Sequence, residues 1–169
     1  MEACIDGSRN LLELATVNNA TILQASTSEI YGDPLKHPQE ESYYGNVNTF
    51  GPRSCYDEGK RMAETIFYNY KDLFKTNIRI ARIFNTYGPN MQQNDGRVIS
   101  NFIVQALEGN DITIYGDGTQ TRDFIYVKDI AEFFEMSIHK NFDSGIYNLG
   151  SGTATPVIDI CGIIENLIS

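Results

Sequence analysis

Tyr56 and Lys60 stand four residues apart in Tyr56-Asp57-Glu58-Gly59-Lys60, and on a helix that spacing puts both side chains on one face. Such a pair can make a phenolate. A tyrosine hydroxyl ordinarily ionises near pH ~10 and is a poor base at neutral pH, and a fixed ammonium beside it is one of the few ways to stabilise its anion. A tyrosine so activated can lift a proton from a sugar or alcohol hydroxyl while a hydride leaves the same carbon. Pairs at this spacing also occur on solvated helix faces, so the chemistry needs a second group of residues.

That group lies upstream. Thr21 to Ala25 reads as a short buried strand that runs straight into Ser26-Thr27-Ser28-Glu29-Ile30-Tyr31-Gly32, so hydroxyls and a carboxylate sit at a strand end. In open α/β sheets, ligands bind in the crevice beyond the carboxyl ends of the strands. The alternative is a turn whose Ser and Thr cap the next element.

The elements that must position these residues alternate between helix and strand. A helix over 2–18, with Ile5, Leu11, Leu12, Leu14 and Ala15 on a helical period and Asn18-Asn19 as a stop, leads to a strand over 21–26. A loop rich in Pro34, Pro38, Gly45 and Asn precedes a helix over 53–75. Then come a strand Asn77–Phe84, a helix Gly96–Glu108, a short strand Asp111–Tyr115, the Gly116-Asp117-Gly118 turn and a short strand near Phe124. A helix Val127–Lys140, a strand over 145–149 and a helix Pro156–Ile168, with proline in its first turn, complete the pattern. This alternation predicts a parallel sheet with helical cover.

Composition fits such a fold and removes several functions. At 169 residues and 41% hydrophobic, the chain can fill one domain. A net charge of −9 argues against nucleic-acid binding, which needs clustered Lys and Arg. No signal peptide and no apolar run near the ~20 residues of a membrane helix is present, so the expectation is cytoplasmic unless a targeting or membrane segment precedes Met1. Cys4, Cys55 and Cys161 have no paired C-x-x-C spacing, which suggests neither a disulfide framework nor a zinc site; no metal is expected, and Cys55 is expected to pack. His37 and His139 show no convergent ligand pattern and are read as solvated.

Taken together, ASTSEIYGDP, HPQEESYYGNVN, GPRSCYDEGKR, RIARIFNTYGP, DGRVISNFIVQAL, IYGDGTQTRDFIYVKDI and YNLGSG resemble the extended short-chain dehydrogenase/reductases that modify nucleotide sugars. Within them the chain is most similar to the branch that decarboxylates UDP-glucuronate. The resemblance implies an α/β fold made of the C-terminal part of a Rossmann-like parallel sheet plus a small α/β substrate-binding region. It assigns 1–88 to a partial NAD-binding domain with the catalytic residues, and 89–169 to a nucleotide-sugar region interleaved with the sheet. Members of this family begin with a strand, a G-x-x-G-x-x-G turn and a helix that receives the cofactor pyrophosphate. No such segment precedes residues 1–18, and Gly150-Ser151-Gly152-Thr153-Ala154-Thr155 fits an ordinary structural turn, so the chain resembles an internal fragment.

The resemblance also implies roles. Thr27 would hydrogen-bond the sugar 4-hydroxyl and, with Tyr56, guide its proton away, while Lys60 would hold the Tyr56 anion and grip the nicotinamide ribose of NAD. Dehydratases of the family use an Asp-Glu pair where this chain has Ser28 and Glu29. A serine is too weak an acid to expel a hydroxyl, which favours decarboxylation over 4,6-dehydration or 4-epimerisation. Asn85 would contact the substrate diphosphate, or serve as a turn residue. Arg122 would meet the substrate carboxylate or phosphates, or else pair with Asp123 or Asp129. Arg97 would anchor substrate and Tyr115 would face the uracil, whereas Arg82 is open between a core ion pair and a ligand. A homodimer is the family expectation. A non-catalytic truncated remnant is the alternative from another class.

Overall fold

The computed structural model describes residues 1–93, 95–139 and 141–168. In chain order the elements are α1 (Glu2–Val17), β1 (Ile22–Thr27), a 3-10 turn (Ser28–Tyr31), α2 (Ser54–Phe74), β2 (Ile78–Ile83), β3 (Asn85–Tyr87), α3 (Val98–Leu107), β4 (Thr121–Tyr126), α4 (Val127–Ser137), β5 (Gly145–Leu149), β6 (Ala154–Pro156) and α5 (Val157–Ile168). Two compact units result: residues 1–84 with 130–149, and residues 85–129 with 150–169. The chain changes unit between Phe84 and Asn85, and 130–149 of the expected substrate region belong to the first unit.

In the first unit, β1, β2 and β5 form a parallel sheet in that spatial order. The ladder aligns Ser26 with Arg82 and Thr27 with Ile83. β2 is central and buried along most of its length, as a strand covered on both faces must be. Its alternate residues Ile78 and Ile80 pack with Leu12 of α1 and Phe67 of α2, and Ile22, Ile66 and Tyr70 close around them. α1 ends where Asn19 adopts a left-handed φ of 48°, as the Asn18-Asn19 stop suggested, and α2 ends on Lys75 at φ 57°. Arg79, on the opposite face of β2, is fully buried and donates to the Phe142 carbonyl. The Phe142 ring packs on Phe133 and Tyr147 there.

The second unit has its own sheet, β3 parallel to β4 and β4 antiparallel to β6. Its core is Phe102 of α3 with Val157, Cys161 and Ile164 of α5. Three expectations are corrected here. No strand forms over 111–115: Ile112 and Ile114 still bury into that core, but the Thr113 N–H donates to the Gln105 side chain, 3.0 Å, instead of a strand partner. β6 is an unforeseen antiparallel strand, and Pro156 lies at its end rather than inside α5, where the lack of an N–H is tolerated. α4 is shorter than Val127–Lys140, ending at Ser137, and Lys140 lies outside the described residues.

Gly150-Ser151-Gly152 is a turn around a carboxylate. Asp123 accepts from the Ser151 N–H (2.7 Å), the Ser151 hydroxyl (2.8 Å) and the Gly152 N–H (2.9 Å), so an internal anion already satisfies these donors. Among the described residues no helix is long and apolar enough to cross a membrane.

Gly32 follows the 3-10 turn at φ 64°, and a Cβ there would lie 2.1 Å from the Asn46 carbonyl oxygen. Both strain and overlap oppose any side chain. Gly32→Ala should therefore cost about 2 kcal/mol or more, read as a lowered urea midpoint with an unchanged slope.

Candidate active site

The first unit brings five of the expected residues onto one strand end and one helix face. Thr27 is the last residue of β1 and caps the 3-10 turn with extended backbone, φ −149° and ψ 153°. Its hydroxyl oxygen accepts from the Glu29 N–H at 3.2 Å. That leaves the hydroxyl hydrogen free to donate to a ligand. Ser28 follows, half-buried, and its hydroxyl has no hydrogen-bond partner among the described residues. Glu29 pairs with Arg53 at 2.9 Å, both side chains substantially exposed.

Tyr56 lies in the first turn of α2 and is 42% exposed. Lys60 sits one turn on, its ammonium 6.0 Å from the centre of the Tyr56 ring. One ammonium hydrogen goes to the Ala25 carbonyl at 2.8 Å, which fastens the helix to β1 and leaves two donors. The pairing read from spacing is thus a real juxtaposition, with the strand backbone as a third partner.

Beneath this face lies a network that only the fold reveals. Arg82 makes a fork to Glu64, with Nη2 2.7 Å from Oε2 and Nε 3.2 Å from both oxygens, and both side chains are about nine-tenths buried. Ser26 donates to the same carboxylate at 2.5 Å. The other Arg82 nitrogen donates to the Tyr31 hydroxyl (2.8 Å) and the Glu41 carbonyl (2.9 Å), and Tyr31 in turn donates to the Asn148 side chain at 2.8 Å. Arg82 is therefore a core ion pair and not a ligand. Burial works against its charge, but the hydrogen bonds and charge of Glu64 outweigh that and leave its pKa above the ordinary value. Burial also pushes the Tyr31 phenol up, against the pull of the Arg82 hydrogen bond and charge.

Sequence reasoning missed Arg53 and Glu64 as parts of the site, and gave Ser26, though within the hydroxyl cluster, no role of its own. The signals were there: Arg53 precedes Tyr56 by three residues, and Glu64 extends the Tyr56–Lys60 stripe by one more turn. Cys55 is exposed rather than packed, and His37 and His139 are exposed.

In the second unit, the Asn85 amide donates to the Asp123 carbonyl at 3.1 Å, which fixes its side chain while leaving one N–H and the carbonyl oxygen. Arg122 lies on β4 opposite Thr155 and donates to the Thr121 carbonyl at 2.8 Å. Among the described residues it makes no ion pair, and Asp123 is occupied by its turn, so the expected alternative of a structural pair does not form. Arg97 pairs with Asp95 at 3.3 Å and lines a cleft of about 350 Å³ with Tyr87, Gly88, Asn90 and Val127. Asn85, Arg122 and Tyr115 are not among the residues lining that cleft; Tyr115 is 82% exposed. Hydrogen bonds from Ser100 and the Arg97 N–H hold the Asp95 carboxyl below its usual pKa.

These geometries can be set beside known proteins. Residues 1–150 match the NAD dependent epimerase/dehydratase family. The chain belongs to that family. It is 49% identical over 162 residues to UDP-glucuronic acid decarboxylase 1 of Xenopus tropicalis, covering 96% of this chain and 38% of that protein. It is 51% identical over 163 residues to UDP-glucuronic acid decarboxylase 5 of Arabidopsis thaliana, covering 96% and 48%. The chain thus spans less than half the length of these relatives. Among solved structures, it superimposes with a TM-score of 0.88 on a UDP-N-acetylglucosamine 4-epimerase from Methanobrevibacter ruminantium, at 31% identity, covering 99% of this chain and 53% of that one. A UDP-glucuronic acid 4-epimerase variant from Bacillus cereus, in complex with a fluorinated UDP-glucuronic acid and NAD, gives 0.82 at 28% identity, covering 97% and 51%.

Two stability measurements follow from the network. Glu64→Ala strands the buried Arg82 charge and should cost about 3–5 kcal/mol, whereas Glu29→Ala breaks a half-exposed pair and should cost under about 1 kcal/mol, both read from urea unfolding. Because Tyr31 has a raised folded pKa, its contribution is fully present below pH ~10, where the unfolded phenol ionises, and is lost as pH rises above it. Tyr31→Phe should flatten that alkaline loss without abolishing it, since burial also raises Tyr70 and Tyr147.

Proposed function

We propose that this chain carries the catalytic and substrate-side residues of an NAD-dependent decarboxylase that converts UDP-glucuronate to UDP-xylose through a 4-keto intermediate. The observation that carries the reading is Thr27 with a hydroxyl hydrogen to spare, on the same strand end that Lys60 of the Tyr56 helix grips, followed by Ser28 where a dehydratase needs an acid. Decarboxylases at 49% and 51% identity support the choice of reaction.

The residues fit a nicotinamide cofactor at this end. The two uncommitted ammonium hydrogens of Lys60 and the half-exposed Tyr56 phenol would hold the nicotinamide ribose. Bound NAD supplies a hydride acceptor, and later a donor, for carbon 4 of the sugar. Thr27 would donate to the 4-hydroxyl oxygen while Tyr56, one turn from Lys60, takes its proton. The ketone so formed lies beta to the carboxylate carbon, and a beta-keto acid loses carbon dioxide because the departing electrons flow into an enolate. Protonation of the enolate at carbon 5 by water restores the ketone, and the proton on Tyr56 then returns to the 4-oxygen when that ketone is reduced.

Glu29, held as an ion pair by Arg53, keeps a carboxylate next to this centre. Ser28 beside it adds no charge, so a substrate carboxylate is not repelled twice. The open fork of Arg122 suits that carboxylate or the diphosphate, and Asn85 retains an N–H for the diphosphate. Arg97 would anchor the substrate and exposed Tyr115 would meet the uracil. A homodimer goes with this reading, on the strength of the family resemblance.

In the full-length gene product, Tyr56→Phe should remove at least about 99% of turnover with substrate affinity within about threefold, since the ring stays and only the proton acceptor goes. Mass analysis of the product decides the reaction: loss of carbon dioxide from UDP-glucuronate supports the reading, and loss of water from a neutral hexose nucleotide overturns it. Ser28→Asp should lower decarboxylation through like-charge repulsion with Glu29 and the substrate carboxylate.

A further inference from the structure

Tyr56, Lys60 and Glu64 form one stripe along α2, and its two lower members meet consecutive residues of β1. Lys60 donates to the Ala25 carbonyl and Glu64 accepts from Ser26. Thr27 is the next residue. Ser26 and Arg82 are direct partners in the parallel β1–β2 ladder, so their side chains emerge side by side and converge on the same Glu64 carboxylate. Arg82 reaches in the other direction to the Tyr31 hydroxyl, at the far end of the 3-10 turn. The span Thr27-Ser28-Glu29 is therefore bracketed: Ser26 before it and Tyr31 after it are both tied to the Glu64–Arg82 pair.

We propose that Glu64 is a positioning residue of the active site, which through Ser26 and Arg82 fixes where Thr27 and its turn stand relative to Tyr56. Glu64 is buried and its oxygens are taken by Ser26 and Arg82, so it has no role in touching substrate. Apolar packing of α2 on β1 and β2 resists separation but is non-directional and permits sliding along the helix axis. The Ser26–Glu64 hydrogen bond, one residue from Thr27, sets the register to within the tolerance of a hydrogen bond. A misplacement of ~1 Å between reacting groups can cost ~100-fold in rate, which is why such a fastening matters. The catalytic consequence rests on the decarboxylase reading; the geometric claim does not.

Ser26→Ala in the full-length gene product tests this, because it removes one hydrogen bond and leaves the Glu64–Arg82 pair in place. Amide hydrogen exchange of Glu29, whose N–H rests on Thr27, should quicken at least about tenfold while Ile80 to Arg82 keep their rates. In the same variant kcat on UDP-glucuronate with NAD should fall about tenfold with KM within about twofold. Ser26→Thr, which restores the hydroxyl, should recover both. Unchanged exchange at Glu29, or faster exchange spread equally over β2, overturns the proposal, as does unchanged kcat in a protein that turns over. If the unsubstituted protein releases no carbon dioxide, the decarboxylase reading fails and the exchange rates alone decide the role of Glu64.

Discussion

The ion pair between Arg82 and Glu64 is the constraint on which the first unit depends. Taking two charges out of water costs several kcal/mol per ion, and the pair is tolerable only because its remaining donors and acceptors are met. Ser26 fills out the carboxylate, and Tyr31 and the Glu41 carbonyl take the rest of the guanidinium. Each partner comes from a different stretch of chain: β1, the 3-10 turn, the following loop, α2 and β2. The core of Leu12, Phe67, Ile78 and Ile80 supplies much of the driving force for packing these stretches, but directional bonds decide at what height they meet.

The same chemistry stands in two environments around this strand end. Arg82 and Glu64 are about nine-tenths buried, while Arg53 and Glu29 are half-exposed and weakly coupled. The first pair suits a foundation, since breaking it strands a charge. The second suits a working site, since water or a ligand can replace either partner at little cost. The free capacity lies where a ligand would come: the hydrogen of Thr27, two of Lys60, the phenol of Tyr56. One layer below, the side chains of Ser26, Glu64, Arg82 and Tyr31 are already bonded to one another or to backbone.

The sequence made the surface of this arrangement legible and not its foundation. Tyr56 and Lys60 could be paired from spacing because helical periodicity is local, and the hydroxyl-rich end of β1 followed from an apolar run meeting a turn. Glu64 and Arg82 are joined by the parallel register that aligns Ser26 with Arg82, a pairing that no local pattern states. Ile112 and Ile114 alternate as in a strand, yet the Gln105 side chain takes the Thr113 N–H and the strand never forms. β6 escaped notice because three residues ending in proline carry almost no strand signal.

Asp123 shows how a carboxylate can be engaged by its own turn beside a cation that it does not pair with. Its carboxylate accepts the two backbone N–H groups and the hydroxyl of Ser151-Gly152, and a Cβ on Gly150 would lie 2.5 Å from it, so the turn is built around that charge. Asp123 and Arg122 are consecutive residues of β4, whose side chains leave opposite faces of the strand, and no ion pair forms between them. Among the described residues the Arg122 guanidinium bonds only to the neighbouring Thr121 carbonyl, in a chain whose net charge is −9 and where carboxylates outnumber cations. On the proposed reading this guanidinium meets an incoming anion, since a planar fork gains most from a carboxylate or phosphate it can bind bidentately. A uronic acid joined to a diphosphate offers both.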